Sequence, residues 1–203
     1  MTRDPILSQP RRTRGPFLRG GVVLLAVAAA CATTSSGTPV PMREPSGPAP
    51  QGVALTALGE LVFSGGRSAA YDGYRVAGPR VNIAYSGNGT WAGDIEGRTV
   101  MVTAEAGKIK GPGGTLYVSQ EGDQLTIRGM WFQRSVSLQV SPRALKGRTG
   151  EMGPSFDFTR TAVNVMAGDT GVGRAGIELR GEAQQVPNVT MPQFVLALLA
   201  ALP

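Results

Sequence analysis

An all-β domain, a single antiparallel β-barrel or β-sandwich meander of about eight strands with a short C-terminal apolar helix, is the fold this sequence predicts. Three observations predict it. Runs that alternate apolar and polar residues recur from Val81 to Arg180. Turn clusters rich in Gly, Asn and Asp separate them at intervals of about 8–12 residues, the spacing of short antiparallel strands. No apolar periodicity of helical length competes with them in that region.

The predicted strands, in chain order, are Val81–Tyr85, Thr99–Thr103, Thr115–Ser119, Gln124–Arg128, Ser135–Val140, Ser155–Thr159 and Gly176–Arg180. A period of two turns one side of each strand to a core and the other to solvent. Between them, Ser86-Gly87-Asn88-Gly89, Gly111-Pro112-Gly113-Gly114, Glu121-Gly122-Asp123 and Ala167-Gly168-Asp169-Thr170-Gly171 supply residues that accept the positive φ of tight turns. Segments beginning at Arg98 and Arg134 resemble one another at an offset of 36 residues, preceded by Gly89-Thr90-Trp91 and Gly129-Met130-Trp131. This reads as a meander with two equivalent aromatic positions. The β domain is placed at 53–190.

The last segment, 191–203, is rich in Leu and Ala and starts with Pro192 at a position suited to a first helical turn. Its apolar character runs nearly all round, and about ten residues are too few to cross a bilayer. It is expected to pack against an open end or edge of the β domain.

Ahead of the domain, residues 32–52 hold Ser, Thr, Pro and Gly with almost no large apolar side chains. That composition predicts a disordered tether, biased to extended conformations by its prolines. Residues 1–30 have the layout of a signal peptide. A basic stretch around Arg11-Arg12-Thr13-Arg14 precedes the apolar run Gly21–Ala30, which ends in Ala28-Ala29-Ala30 and then Cys31, the only cysteine. The segment resembles the lipobox signal of bacterial lipoproteins, with Ala28 where Leu is usual. The resemblance implies lipidation of Cys31 and a membrane anchored through it. Ala32 after the cysteine implies sorting to the outer membrane, at its periplasmic face. The alternative is cleavage at the same alanines by the ordinary signal peptidase and release as a soluble periplasmic or secreted protein. The apolar run is too short for a transmembrane anchor.

The leader also accounts for most of the chain's basicity. Of 20 Lys and Arg and 14 Asp and Glu, it holds five arginines and one acid, which leaves 15 against 13 and a net charge of +2. A nucleic-acid partner is therefore not expected. With no histidine and one cysteine, the usual His/Cys metal sites, Ser-His-Asp and Cys-His nucleophiles and haem ligation are excluded. No cofactor and no metal are expected. Asp94 and Glu96, two residues apart, would share a strand face and could form a carboxylate pair. Asp169-Thr170-Gly171 carries the aspartic-protease triplet once, where those enzymes need two. Trp91, Trp131, Tyr85 and Tyr117, with Arg75, Arg80, Arg98, Arg128 and Arg134 scattered among them, are the candidate ligand-binding aromatics.

The expected function is a non-enzymatic exported lipoprotein, a structural, assembly or binding module of the cell envelope whose partner is an envelope protein. The alternative is a lipocalin-like carrier of a lipid or other small hydrophobic molecule. A carboxylate-dependent hydrolase stands third.

Overall fold

The computed structural model describes residues 37–42, 44–47, 49–50 and 54–203. The predicted signal peptide and Cys31 lie outside the described residues.

The strands are β1 (Thr38–Pro39), β2 (Gly59–Phe63), β3 (Ser68–Tyr71), β4 (Arg75–Gly78), β5 (Val81–Gly87), β6 (Thr90–Ile95), β7 (Arg98–Glu105) and β8 (Lys108–Gly111). They continue as β9 (Gly114–Glu121), β10 (Gln124–Trp131), β11 (Arg134–Val140), β12 (Ala144–Thr149), β13 (Ser155–Ala162), β14 (Val165–Asp169) and β15 (Arg174–Gly181). A short 3₁₀ turn, Glu182–Gln185, and helix α1 (Gln193–Ala201) complete the chain. From β2 to β15 each strand pairs antiparallel with its neighbours in sequence. β15 then pairs with β2, Leu179 opposite Leu61, and closes the ring. The fold is an antiparallel up-and-down barrel, as one of the two expected architectures. Its strand number is fourteen rather than about eight.

The reason lies in the strands that alternation does not reveal. β3, β4 and β8 have four residues each, and β6, β12 and β14 are diluted by Gly and Ala. Every even-numbered strand from β4 to β14 carries a glycine: Gly78, Gly93, Gly111, Gly129, Gly147 and Gly168. At Gly129 φ is +139°, and a Cβ would lie 2.1 Å from the Thr115 carbonyl oxygen. At Gly147, φ +133°, it would lie 2.0 Å from that of Ser137. Glycines so placed let strands bend and approach closely, which curls a sheet towards closure. Four of them, Gly93 to Gly147, recur every 18 residues, so the offset of 36 spans two hairpin units. On that period Trp91 corresponds to Ile109, Ile127 and Leu145, all buried. Trp131 sits four residues later in its own unit, so the two tryptophans are not equivalent.

Helix α1 occupies the barrel interior. Phe194, Val195, Leu196, Ala197 and Leu198 are buried in succession, and five residues cover more than a full helical turn. An apolar surface on every side suits a helix that is enclosed on every side. A ring of fourteen strands is wider than side chains alone can fill, and a helix of about 10 Å diameter takes up the difference. Phe194 meets Tyr71 edge to face at 6.4 Å. The Gln193 side chain donates to the Gly73 carbonyl at one end of the barrel (2.8 Å). At the other end the Arg67 guanidinium donates to the Leu202 carbonyl (2.9 Å) and the Thr149 hydroxyl to that of Pro203 (3.1 Å). The helix thus lies within the barrel rather than against an edge.

The segment read as a disordered tether is, where described, packed on the domain. β1 pairs with β9 beyond the end of β8, and Val40 is buried. Its N–H donates to the Val118 carbonyl, and its own carbonyl accepts from Gly107. Farther on, the Ala49 N–H donates to the Tyr85 carbonyl. Val40 and Met42 supply the apolar anchorage, and proline-set extended backbone suits a strand added at an edge. This strap crosses the barrel end at which α1 begins. The opposite end, where α1 finishes, is the rim.

Candidate functional site

The four predicted aromatics do not come together. Trp91, 1% exposed, packs on Tyr85 with ring centroids 5.3 Å apart. The Tyr85 hydroxyl accepts from the Gly89 N–H (3.1 Å) and donates to the Glu44 carboxylate of the strap (3.2 Å). That pair therefore supports the strap end of the core. Trp131 lies at the rim, edge to face with Phe132 at 5.5 Å. Tyr117 is on the outer wall, 53% exposed, with the Lys108 ammonium 5.9 Å from its ring centre.

The carboxylates also separate. Asp94 ends on the strand face, accepting from the Thr99 hydroxyl at 3.0 Å. Glu96 has left the strand for the β6–β7 turn, at φ +54°, and pairs with Arg80 at 2.9 Å. The turn breaks the two-residue period, so the expected shared face is absent. Asp169-Thr170-Gly171 forms the β14–β15 turn. There the Asp169 carboxylate accepts from the Gly171 N–H, and the Thr170 hydroxyl donates to the Gly173 carbonyl. Among the described residues no three His, Cys, Asp or Glu side chains gather as a metal site.

The lumen is filled by α1 and by Tyr71, Phe158, Leu61, Ile127 and other fully buried side chains. A space of about 50 Å³ remains between the C-terminal part of α1 and the wall, bordered by Trp131, Phe132, Val136 and Leu199.

What the fold does assemble is a rim of arginines. Seven hairpins turn at that end, and five carry an arginine at or just before the first residue of the returning strand: Arg67, Arg80, Arg98, Arg134 and Arg174. Arg148, at the end of β12, adds a sixth. Because neighbouring hairpins in sequence are neighbours in the ring, these side chains are distributed round the circumference. Arg98 lies over the Phe132 ring at 5.8 Å. Burial, then the charge of nearby Arg80, holds the Arg67 guanidinium below its ordinary value.

Comparison with protein-family models, curated proteins and solved structures finds no match.

The acids at this end are Asp94, Glu96, Glu151, Asp157 and Asp169, with Asp157 paired to Lys146 at 3.0 Å. Glu96 is engaged by Arg80, and Asp169 by the turn amide. Arg134 and Arg174 are exposed and form no ion pair with a described residue. Two adjacent rim loops also lift apolar side chains clear of the barrel. Met152 is fully exposed and Val172 is 91% exposed, each beside glycine in a short loop. A groove of about 730 Å³ lies between these loops, with Pro203 at its side. The sequence alone does not reveal the rim, because its arginines look scattered until the hairpins are known. The signal was present as the recurring pairs Gly66-Arg67, Pro79-Arg80, Gly97-Arg98, Gln133-Arg134 and Gly173-Arg174.

Proposed function

We propose that this chain is an exported, lipid-anchored, non-enzymatic module of the bacterial cell envelope, whose barrel presents a rigid surface at the membrane. The observation that carries this reading is the filled lumen. A helix and a close-packed core occupy the space in which a carrier would hold its ligand, which speaks against the lipocalin-like alternative. The division of Asp94 and Glu96 between a strand and a turn speaks against a hydrolase built on that pair. What the barrel offers to partners is its outside and its rim.

Anchoring rests on the leader and on Cys31. Gly37, where the described strap begins, follows Cys31 by six residues, so acylation there would tie the strap end of the barrel to a bilayer. Expression of Cys31→Ser in a bacterial host tests the reading. Loss of the acyl mass and transfer from the membrane to the soluble fraction are expected. Unchanged membrane fractionation of the variant would defeat the anchoring reading.

A further inference from the structure

We propose that the rim is a docking face for a bilayer containing anionic phospholipid. The inference goes beyond the anchoring reading and does not depend on it. The rim is the barrel end opposite the strap, so in a chain anchored at Cys31 the bilayer that the rim docks is a second one, facing the anchoring membrane.

Two properties of the rim meet in one occupant. Six guanidinium groups stand at this end against five carboxylates, of which Glu96 and Asp157 are in ion pairs and Asp94 and Asp169 accept local hydrogen bonds. Arg80 and Arg67 are engaged in turn, while Arg134 and Arg174 are exposed and outside any ion pair with a described residue. Guanidinium forks match phosphate oxygens in geometry as well as charge. The arginines are spread round a closed ring rather than along one groove, so the surface they complement is a plane. Met152 and Val172 are exposed on loops at the same end, near Arg148 and Arg174. Apolar tips set among basic residues suit a membrane interface, where the tips enter the acyl boundary and the cations stay among the headgroups. An acidic peptide is the poorer fit. The closed ring offers no free strand edge for it to extend, and the loop groove places Glu151 beside Arg148.

Co-sedimentation with vesicles tests the proposal. The Cys31→Ser chain is mixed with vesicles of phosphatidylcholine alone or with about one third phosphatidylglycerol. Using this chain throughout keeps acylation out of the measurement, and any effect of residues before Gly37 is common to every protein compared. Binding is expected on the anionic vesicles and not on the neutral ones, weakening as salt is raised. The double variant Arg134→Glu/Arg174→Glu should bind at least about tenfold more weakly, since it removes two cations from the face and adds two anions to it. Met152→Asp/Val172→Asp should weaken binding several-fold. All four positions are exposed, so unchanged thermal unfolding is expected. If a charge reversal disturbs folding, Arg134→Gln/Arg174→Gln replaces it. Equal sedimentation with both vesicle types, or undiminished binding by both double variants, overturns the proposal. So does an absence of binding to anionic vesicles, which would turn attention to an acidic protein partner.

Discussion

Tyr71 has a buried phenol with no hydrogen-bond partner. Its hydroxyl lies where a Cβ on Gly59 would be, 2.5 Å away, so the ring is held by packing rather than by polar bonding. An unpaired buried hydroxyl costs more than it returns. Tyr71→Phe should therefore leave stability unchanged or raise it by up to about 1 kcal/mol. Burial, helped by the charge of Glu182, also pushes the phenol's pKa above its ordinary value. In the unfolded chain the group ionises near pH 10, whereas the fold resists ionisation. This contribution is complete below about pH 10 and is lost as pH rises further. Urea unfolding from pH 8 to pH 11 should show a wild-type decline that Tyr71→Phe lacks in part. Identical pH profiles for the two proteins would count against this account.

At the scale of elements, α1 is the part whose removal should matter most. It buries apolar side chains all round and is hydrogen-bonded at both ends. Deleting 192–203 should lower the melting temperature by well over 10 °C or cause aggregation, because a fourteen-strand ring would be left with an unfilled lumen. Melting by circular dichroism, with light scattering, checks this. Unchanged melting would mean that the strands close on themselves without the helix. The strap is a different kind of element. Its described residues bond to β9, to the β7–β8 turn at Gly107 and to Tyr85 of β5, and Val40 is its buried anchor. Composition alone read it as a tether because one valine and one methionine scarcely register among prolines, serines and threonines. Their docking positions exist only once β8 and β9 are in place.

The whole molecule is a ring whose last bond joins residues far apart in sequence. Leu61 and Leu179 face each other across the β2–β15 seam, and both are buried. Outside the seam Arg180 bridges Glu60 and Glu178 at 3.0 Å each, an exposed network of small worth. Leu61→Ala should cost about 2–5 kcal/mol by opening a cavity. Since closure is shared by every strand, that loss should appear in one transition. Tryptophan fluorescence, which reports on β6 and β10, should then move together with far-UV circular dichroism. Separate transitions from the two probes would mean that the seam opens as an independent unit.

Local alternation determined the β class, seven of the strands, the glycine-rich turns between them and the apolar helix at the end. These are properties of short segments, fixed by the period-two placement of side chains and by turn chemistry. The order of segments before the domain, from basic stretch through apolar run to Cys31, was likewise readable without a fold. Tertiary structure decided the rest. Strand number depended on short glycine-bearing strands such as β4 and β8, which hold their extended shape only between neighbours. The helix's place in the lumen followed from the width of the closed ring, which no local pattern encodes. The arginine rim exists because closure brings five separate turns to one circumference. Separation of Asp94 from Glu96 followed in turn from a strand that ends at Ile95 and a residue beyond it at positive φ.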